Sequence, residues 1–350
     1  MRLEKTWVLL IIGCVLIYFS TGFSFAFALA QQTYSFVTSW GSLGNSEGML
    51  NEPVGVAVDS YDNVYVTDTN NNRVEKFSND GKFLSAWGTY GTGYGQFNLP
   101  TNIAADSSGS IYVTDQSNNR IEEFDSSGNY VKSFIVSQLY PVGIAVDSAG
   151  NMYFTEQSKN SVFEIANNGN AINTWGTLGT DDGKFDTPSG IALDKNGNVY
   201  VVDTNNDRIQ KFTNDGQFLT KWGSSGTGNG QFTRPIGITI DSNDDIYITD
   251  AGNRNVQKFT NDGQFVTAWG TNGTDSGQFL SPTGITVDSE GNVYVSDSNP
   301  YHPTVQKFSI ENQTSSAQKK ATVPEFGTTT LVTLTVAIIS LLIFRVRFSH

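Results

Sequence analysis

The stretch GNVYVVDTNNDRIQKF at residues 197–212 is an apolar run ending in Asp203, a polar loop, and a second run that opens with Arg208. Nearly the same phrase stands at residues 62–77 (DNVYVTDTNNNRVEKF) and 109–124 (GSIYVTDQSNNRIEEF). The apolar runs are rich in Val, Ile, Tyr and Phe, which favour strands, and the loops are rich in Asn and Asp, which favour turns. The phrase therefore predicts a strand–loop–strand unit that the chain uses repeatedly.

The unit has a period of about 47 residues. In each copy a further apolar strand precedes the quoted phrase, and that strand ends in an aspartate. These aspartates recur at spacings of 47, 41, 47, 47 and 47, as Asp59, Asp106, Asp147, Asp194, Asp241 and Asp288. Each copy predicts four strands, which in the first copy are VGVAVD, NVYVTD, RVEKF and KFLSAWG. Such a unit cannot bury both apolar faces alone, and four-stranded sheets stacked radially form a β-propeller. The predicted fold class is all-β, a six-bladed propeller.

The two ends of the repeat region complement each other. The last copy stops at TVQKFSI (304–310) without a fourth strand, and YSFVTSWG (34–41) matches GQFVTAWG (263–270). We therefore expect the amino-terminal strand to complete the last blade, which pairs two edges that would otherwise be free to aggregate.

These motifs resemble the NHL repeat family, whose pattern runs WG…G…GQF…P-x-GIAVD…GNVYVTD…N-x-RIQKF. The resemblance covers nearly all of residues 34–310 in six in-phase copies. It implies a six-bladed propeller that acts as a rigid platform for binding partners.

The amino terminus predicts export. Residues 1–30 contain Arg2 and Lys5, a long apolar run and a final Ala-Leu-Ala, the order of a secretory signal helix cleaved after Ala30. An uncleaved membrane anchor is the alternative. The only cysteine, Cys14, lies in this run, so a mature chain has no disulfide.

The carboxyl terminus predicts attachment to the membrane. A polar linker at 311–327 ends in PEFG, an uncharged stretch at 328–344 is long enough to span a bilayer as a transmembrane helix, and a basic tail occupies 345–350. The three parts resemble an archaeal PEFG-type sorting signal, which implies retention at the cell surface. A plain anchor would equally place the propeller, residues 31–310, on the outer face.

The net charge of −13 argues against nucleic acid as a partner, because such binders need cationic surface. The expected partner is an extracellular protein, a glycan or a small molecule, and the propeller is expected to be monomeric. Two sequons, Asn272 and Asn312, are compatible with glycosylation of an exported chain.

The second strand of each copy ends in an acid, which in five copies is aspartate: Asp68, Asp115, Asp203, Asp250 and Asp297. Six acids could ring a cation. We interpret them instead as structural, since each can accept hydrogen bonds from its own loop and pair with the arginine five residues later. A side chain that recurs in every blade is expected to stabilise the blade, because a catalytic site needs only one set of catalytic groups.

Function is therefore sought where the repeat breaks. Blade three is preceded by a linker that is six residues shorter than its equivalents. In the strands of the same blade, Glu156 replaces the usual Asp and Ser161 replaces the usual Arg. Blade five has Arg254 displaced by one position, and blade six inserts two residues and presents Tyr301 and His302 between prolines. We predict a ligand-binding groove on the face of the longer loops, between blade three and the Tyr301–His302 loop. The candidate ligand-binding residues are Glu156, Ser161, Arg254, Tyr301 and His302.

The residue inventory disfavours several enzyme classes. A catalytic zinc site usually needs several histidines, and the propeller has only His302. No residue is predicted to be catalytic, and no cofactor is expected, although a calcium site built from oxygen ligands remains open. The predicted function is a non-catalytic, surface-anchored binding platform. The alternatives are a calcium-dependent lactonase or lyase and a purely structural envelope component.

Overall fold

The computed structural model describes residues 32–136 and 138–311. These residues form 24 strands in six four-stranded antiparallel sheets. The strands are β1 (Tyr34–Trp40), β2 (Pro53–Val58), β3 (Val64–Asp68), β4 (Arg73–Phe77), β5 (Phe83–Trp87), β6 (Pro100–Ala105), β7 (Ile111–Asp115), β8 (Arg120–Phe124), β9 (Tyr130–Ile135), β10 (Pro141–Val146), β11 (Met152–Glu156), β12 (Ser161–Ile165), β13 (Ala171–Trp175), β14 (Pro188–Leu193), β15 (Val199–Asp203), β16 (Arg208–Phe212), β17 (Phe218–Trp222), β18 (Pro235–Ile240), β19 (Ile246–Asp250), β20 (Asn255–Phe259), β21 (Phe265–Trp269), β22 (Pro282–Val287), β23 (Val293–Asp297) and β24 (Thr304–Ile310). Single 3₁₀ turns follow β3, β7 and β15, at Thr69–Asn71, Gln116–Asn118 and Thr204–Asn206.

Each sheet is one blade of a propeller. Blades one to five are β2–β5, β6–β9, β10–β13, β14–β17 and β18–β21, and blade six is β22–β24 with β1. The first strands of successive blades contact one another, and β22 contacts β2, so these strands form a closed inner ring. The six-bladed propeller predicted from the repeat is confirmed.

The first strand of the chain closes the ring. β1 pairs antiparallel with β24, from Tyr34 opposite Ile310 to Trp40 opposite Val305, with one bulge. The Tyr34 hydroxyl also lies 2.8 Å from the hydroxyl of Tyr247 in blade five. The predicted completion of the last blade by the amino-terminal strand is therefore confirmed.

The core lies between adjacent blades. The second strand of every blade is buried along its whole length, because it carries apolar side chains on both faces of a sheet packed between two others. One cluster joins Tyr65 and Val74 of blade one to Ile103, Val113 and Phe124 of blade two. Burial of this kind makes each blade depend on its neighbours.

Hydroxyl groups on the second strands connect neighbouring inner strands. Thr249 Oγ1 donates to the carbonyl of Thr283 (2.6 Å), and Ser296 Oγ donates to the carbonyl of Val54 (2.8 Å). The inner strands approach so closely that a Cβ added to Gly284 would lie 2.4 Å from the Val54 oxygen. Glycine is therefore required at this contact between blades six and one.

The signal segment (1–30), the PEFG-bearing linker after Glu311, the predicted membrane helix (328–344) and the basic tail (345–350) all lie outside the described residues. Within residues 32–136 and 138–311, no helix is long and apolar enough to cross a membrane.

Candidate ligand site in blade six

The acid at the end of each second strand organises the loops around it. In blade one, Asp68 accepts hydrogen bonds from the Asn51 amide (2.6 Å), Asn71 Nδ2 (2.8 Å) and Arg73 Nε (2.7 Å). Burial raises the pKa of Asp68, while these hydrogen bonds and the charge of Arg73 lower it. The carboxylate thus holds the strand end, its own loop and the preceding linker together.

The arginine extends this network into the linker between blades. Arg73 donates from Nη1 to the carbonyl of Asn45 (2.9 Å) and from Nη2 to those of Ser46 (3.0 Å) and Met49 (2.8 Å). Arg120 and Arg208 make the equivalent contacts in blades two and four. In these three blades a guanidinium fills the space between acid and linker.

The other three blades have no arginine at this register. The residues opposite the acid are Ser161 in blade three, Asn255 in blade five and Thr304 in blade six. What occupies the space around the acid differs in each of these blades.

In blade three the glutamate is enclosed by its own loops. Glu156 is fully buried and accepts hydrogen bonds from the Tyr140 amide (3.2 Å), Ser158 Oγ (2.7 Å) and the Lys159 amide. Ser161 is also buried and donates to the carbonyls of Lys159 and Gly176, both at 3.0 Å. Both side chains are thus engaged inside the blade.

In blade five the aspartate has amide partners and forms no ion pair with any residue that the structure describes. Asp250 accepts hydrogen bonds from Thr233, Gly252 and Asn253, and burial raises its pKa to about 6. Arg254 is exposed and has a left-handed backbone, with φ of +57°. Its side chain makes no ion pair within the described residues.

In blade six the acid faces a cavity. Asp297 is 3% exposed and accepts hydrogen bonds from the amides of Leu280 (2.7 Å), Ser281 (2.8 Å) and Asn299 (3.3 Å). The cavity beside it measures about 180 Å³ and extends to the linkers on both sides of the blade. Its lining includes Thr274, Gln278, Asp297, Tyr301, His302 and Thr304.

Charge in this cavity is governed by the buried carboxyl. Burial raises the pKa of Asp297, while its three backbone donors and the nearby His302 act in the opposite direction. Tyr301 is 77% exposed, and its amide and that of His302 both donate to Asn299 Oδ1. The inserted loop is therefore anchored by its backbone and presents an aromatic ring to solvent at the cavity.

The structure brings together only some of the residues singled out in the sequence. Tyr301 and His302 line the blade-six cavity, whereas Glu156, Ser161 and Arg254 do not. Asn272 is exposed in the linker before blade six, and Asn312 lies outside the described residues. The sequence reasoning missed Thr304, although its place at the arginine position of the repeat was a readable signal.

Two further features bear on chemistry. The central channel, of about 230 Å³, is lined by the inner strands and has no ionisable side chain among its lining residues. Across residues 32–136 and 138–311, no group of three or more His, Cys, Asp or Glu side chains is arranged to hold a metal ion.

The fold defines a six-bladed β-propeller, and comparison with known proteins gives its family. Residues 51–300 match the Virginiamycin B lyase family, and the chain belongs to it. Among curated protein sequences, none matches this chain.

Three solved structures share the fold. A catalytically inactive histidine-to-alanine variant of virginiamycin B lyase from Staphylococcus aureus, solved with quinupristin, is 18% identical and covers 79% of this chain and 99% of its own, with a TM-score of 0.54. A gluconolactonase from Xanthomonas campestris is 15% identical, with coverages of 75% and 88% and a TM-score of 0.58. A chain of the nidogen–laminin complex is 20% identical, with coverages of 64% and 82% and a TM-score of 0.50. At these identities the likeness concerns the fold.

Proposed function

We propose that the propeller is a non-catalytic binding module of the NHL type that is held at the outer face of the cell membrane. The observation that carries this proposal is the blade-six cavity, where a buried carboxylate, Asp297, faces open space instead of an internal arginine. In blades one, two and four the equivalent aspartate instead forms an ion pair with an arginine of the same blade. The loop with Tyr301 and His302 adds an exposed aromatic ring beside the cavity.

The location rests on the sequence alone. The signal-like residues 1–30 and the PEFG-bearing carboxyl terminus support export followed by surface attachment. Ligands of this propeller are therefore sought among extracellular proteins, glycans of the envelope and small molecules.

A retention experiment tests the binding function. Full-length protein and the Thr304→Arg variant, which fills the cavity with a side chain, are immobilised and exposed to envelope extract of the source organism. We expect at least one component to be retained by the wild-type protein and lost with the variant. Equal retention by both proteins would remove blade six as the ligand site.

The alternative function is a lyase or lactonase, and family membership favours it. The described residues contain one histidine, His302, which lies at the blade-six cavity, and the virginiamycin B lyase variant that lacks a single histidine is inactive. Incubation with quinupristin and with gluconolactone, with added Mg²⁺ or Ca²⁺ and with chelator, separates the two functions. Turnover that disappears in His302→Ala would establish the enzyme, and we expect none.

A further inference from the structure

We propose that the blade-six cavity binds a guanidinium group, presented by an arginine side chain or by a free arginine-like molecule. This inference rests on the proposed binding function and specifies its ligand. In blades one, two and four the equivalent space already contains an arginine of the chain itself, so the repeat shows which chemical group the surrounding atoms accept.

The acceptors for a guanidinium are retained in blade six. The linker residues that correspond to Asn45, Ser46 and Met49 are Thr274, Asp275 and Gln278. The turn is also the same, because the Gln278 amide donates to the Asp275 carbonyl (2.9 Å) just as the Met49 amide donates to the Ser46 carbonyl (3.0 Å). The linker therefore presents its carbonyl groups as it does in blade one.

A neighbouring glutamine does not take the place of the guanidinium. Gln306 Nε2 donates to the Gln278 carbonyl at 2.6 Å. In blade four, Gln210 Nε2 (2.6 Å) and Arg208 Nη2 (2.8 Å) donate to the same Lys184 carbonyl. A carbonyl in this position thus accepts from both groups, and Gln306 leaves room for a second donor.

Two side chains that fill the space elsewhere are missing in blade six. Thr304 stands where blade one has Arg73, as the strand register shows. Asn71 donates to both Asp68 and the Gly44 carbonyl, whereas Pro300, which has no side-chain donor, stands at the same distance after the acid of blade six, and Gly273 at the Gly44 position lines the cavity. The resulting volume of about 180 Å³ is well above the roughly 10–15 Å³ that one water needs. It is below the ~300 Å³ of the smallest drug-sized pockets, so a side-chain-sized group fits better.

The electrostatics favour a planar cation. Asp297 is almost completely buried and has no ion-pair partner within the described residues, so a bound cation would offset the cost of burying its charge. A guanidinium presents five donors in a plane, which suits one carboxylate and several carbonyls, whereas an ammonium is a compact point charge. Tyr301 can cover the exposed face of the guanidinium, as aromatic rings commonly do.

Calorimetric titration of the full-length protein with methylguanidinium and with methylammonium, at equal ionic strength, tests the ligand class. We expect methylguanidinium to bind more tightly by about tenfold or more, the worth of one charged hydrogen bond. Thr304→Arg should abolish this binding, and Ser39→Arg, which adds the same charge on an exposed site of the same blade, should preserve it. Equal affinity for the two cations, or binding unchanged in Thr304→Arg, would overturn the proposal.

Blade one provides a gain-of-function test. Arg73→Thr exposes the same acceptors there, and we expect the stoichiometry of methylguanidinium to rise from one to two. If this variant is too unstable for titration, recovery of its melting temperature by methylguanidinium and not by methylammonium reports the same binding. Recovery by both cations alike would count against the proposal.

The source of the guanidinium is resolved by comparing free L-arginine with acetyl-arginine N-methylamide, which resembles a protein side chain. Tighter binding of either one supports the proposal and identifies the source. If neither binds while envelope components still depend on Thr304 for retention, the guanidinium assignment fails and the binding function stands. If retention is also independent of Thr304, both fail.

Discussion

Thr304 faces Asp297 across the β23–β24 pair, at the register where arginine faces aspartate in blade one. Replacing Thr304 by arginine should rebuild the internal ion pair and its bonds to the linker carbonyls. We expect the free energy of unfolding to increase by about 1–2 kcal/mol, since hydrogen bonds to charged groups contribute roughly this much net of side-chain ordering. Denaturant unfolding of the full-length protein measures the change.

Ser39→Arg is the matched control for this variant, because it adds an arginine at an exposed position of the same blade that lies opposite Gln306 and not opposite Asp297. Its stability should stay within about 0.5 kcal/mol of the wild-type protein. A Thr304→Arg variant no more stable than Ser39→Arg would show that blade six cannot accommodate the guanidinium geometry of blade one.

A second buried acid makes the stability of blade one depend on pH. Glu75 is fully buried beside Asp68, and both share the single cation of Arg73, whose Nη2 lies 2.7 Å from Glu75 Oε1. Burial raises the pKa of Glu75 to about 7, assisted by the charge of Asp68 and opposed by that of Arg73. The folded state therefore binds a proton more tightly than the unfolded state, and Glu75 reduces stability progressively as pH rises from about 4.5 to 7.

Glu75→Gln should remove this dependence. Glutamine already stands at this register in blades four, five and six, as Gln210, Gln257 and Gln306. We expect the variant to gain about 3 kcal/mol at pH 8 and little at pH 4.5, since a pKa raised from 4.5 to about 7 costs about 1.4 kcal/mol for each unit. The reverse change, Gln210→Glu, should destabilise blade four most above pH 7. Parallel stability curves for wild-type protein and Glu75→Gln between pH 4.5 and 8 would contradict the assignment.

Asp250 offers an independent pH test in blade five. Its pKa is raised from 3.8 to about 6 by burial, and Asn255 stands where a cation would oppose this shift. The raised pKa of Asp250 means that its protonated form favours the folded state. This contribution to the free energy of unfolding is fully present below about pH 4 and is lost as the pH rises to about 6. Asn255→Arg should lower the pKa of Asp250 and raise stability at pH 7 by about 1–2 kcal/mol. The carboxyl signal of Asp250 in an NMR titration reports the pKa directly, and an unchanged midpoint in the variant would refute this account.

The fold followed from the sequence because its determinants are local and repeated. An apolar strand that is buried on both faces, an Asx-rich loop and a fixed period specify a blade, and the unpaired final copy specified the role of β1. The NHL resemblance predicted the right architecture, while the matching family model is that of the Virginiamycin B lyases. Different families can share one repeat geometry, since the scaffold rules are the same.

The candidate site was less predictable, because a substitution does not reveal what fills the space it leaves. Glu156 and Thr304 both depart from the repeat, yet loop amides enclose the first, and the second borders a cavity. The shortened linker of blade three and the two-residue insertion of blade six decide between these outcomes through loop geometry. Sequence identifies the departures, and only the packing shows which of them creates a pocket.

The hydroxyl links between inner strands give a last prediction, on ring stability. Thr249 Oγ1 accepts the Gly237 amide (2.8 Å) and donates to the Thr283 carbonyl (2.6 Å), so Thr249→Val leaves two buried backbone groups without a partner. We expect a loss of about 1–3 kcal/mol in the free energy of unfolding, the cost of unsatisfied buried groups.

Blade four supplies the control for this change, because it naturally carries Val202 at the same register, and there Ser189 Oγ donates to the Ile236 carbonyl (2.8 Å). Val202→Thr should therefore alter stability by less than about 0.5 kcal/mol, since the carbonyl it would reach already has a donor. Urea unfolding of both variants decides the matter. Equal effects at the two sites would mean that the inner ring is held by apolar packing alone, with the hydroxyl groups contributing nothing measurable.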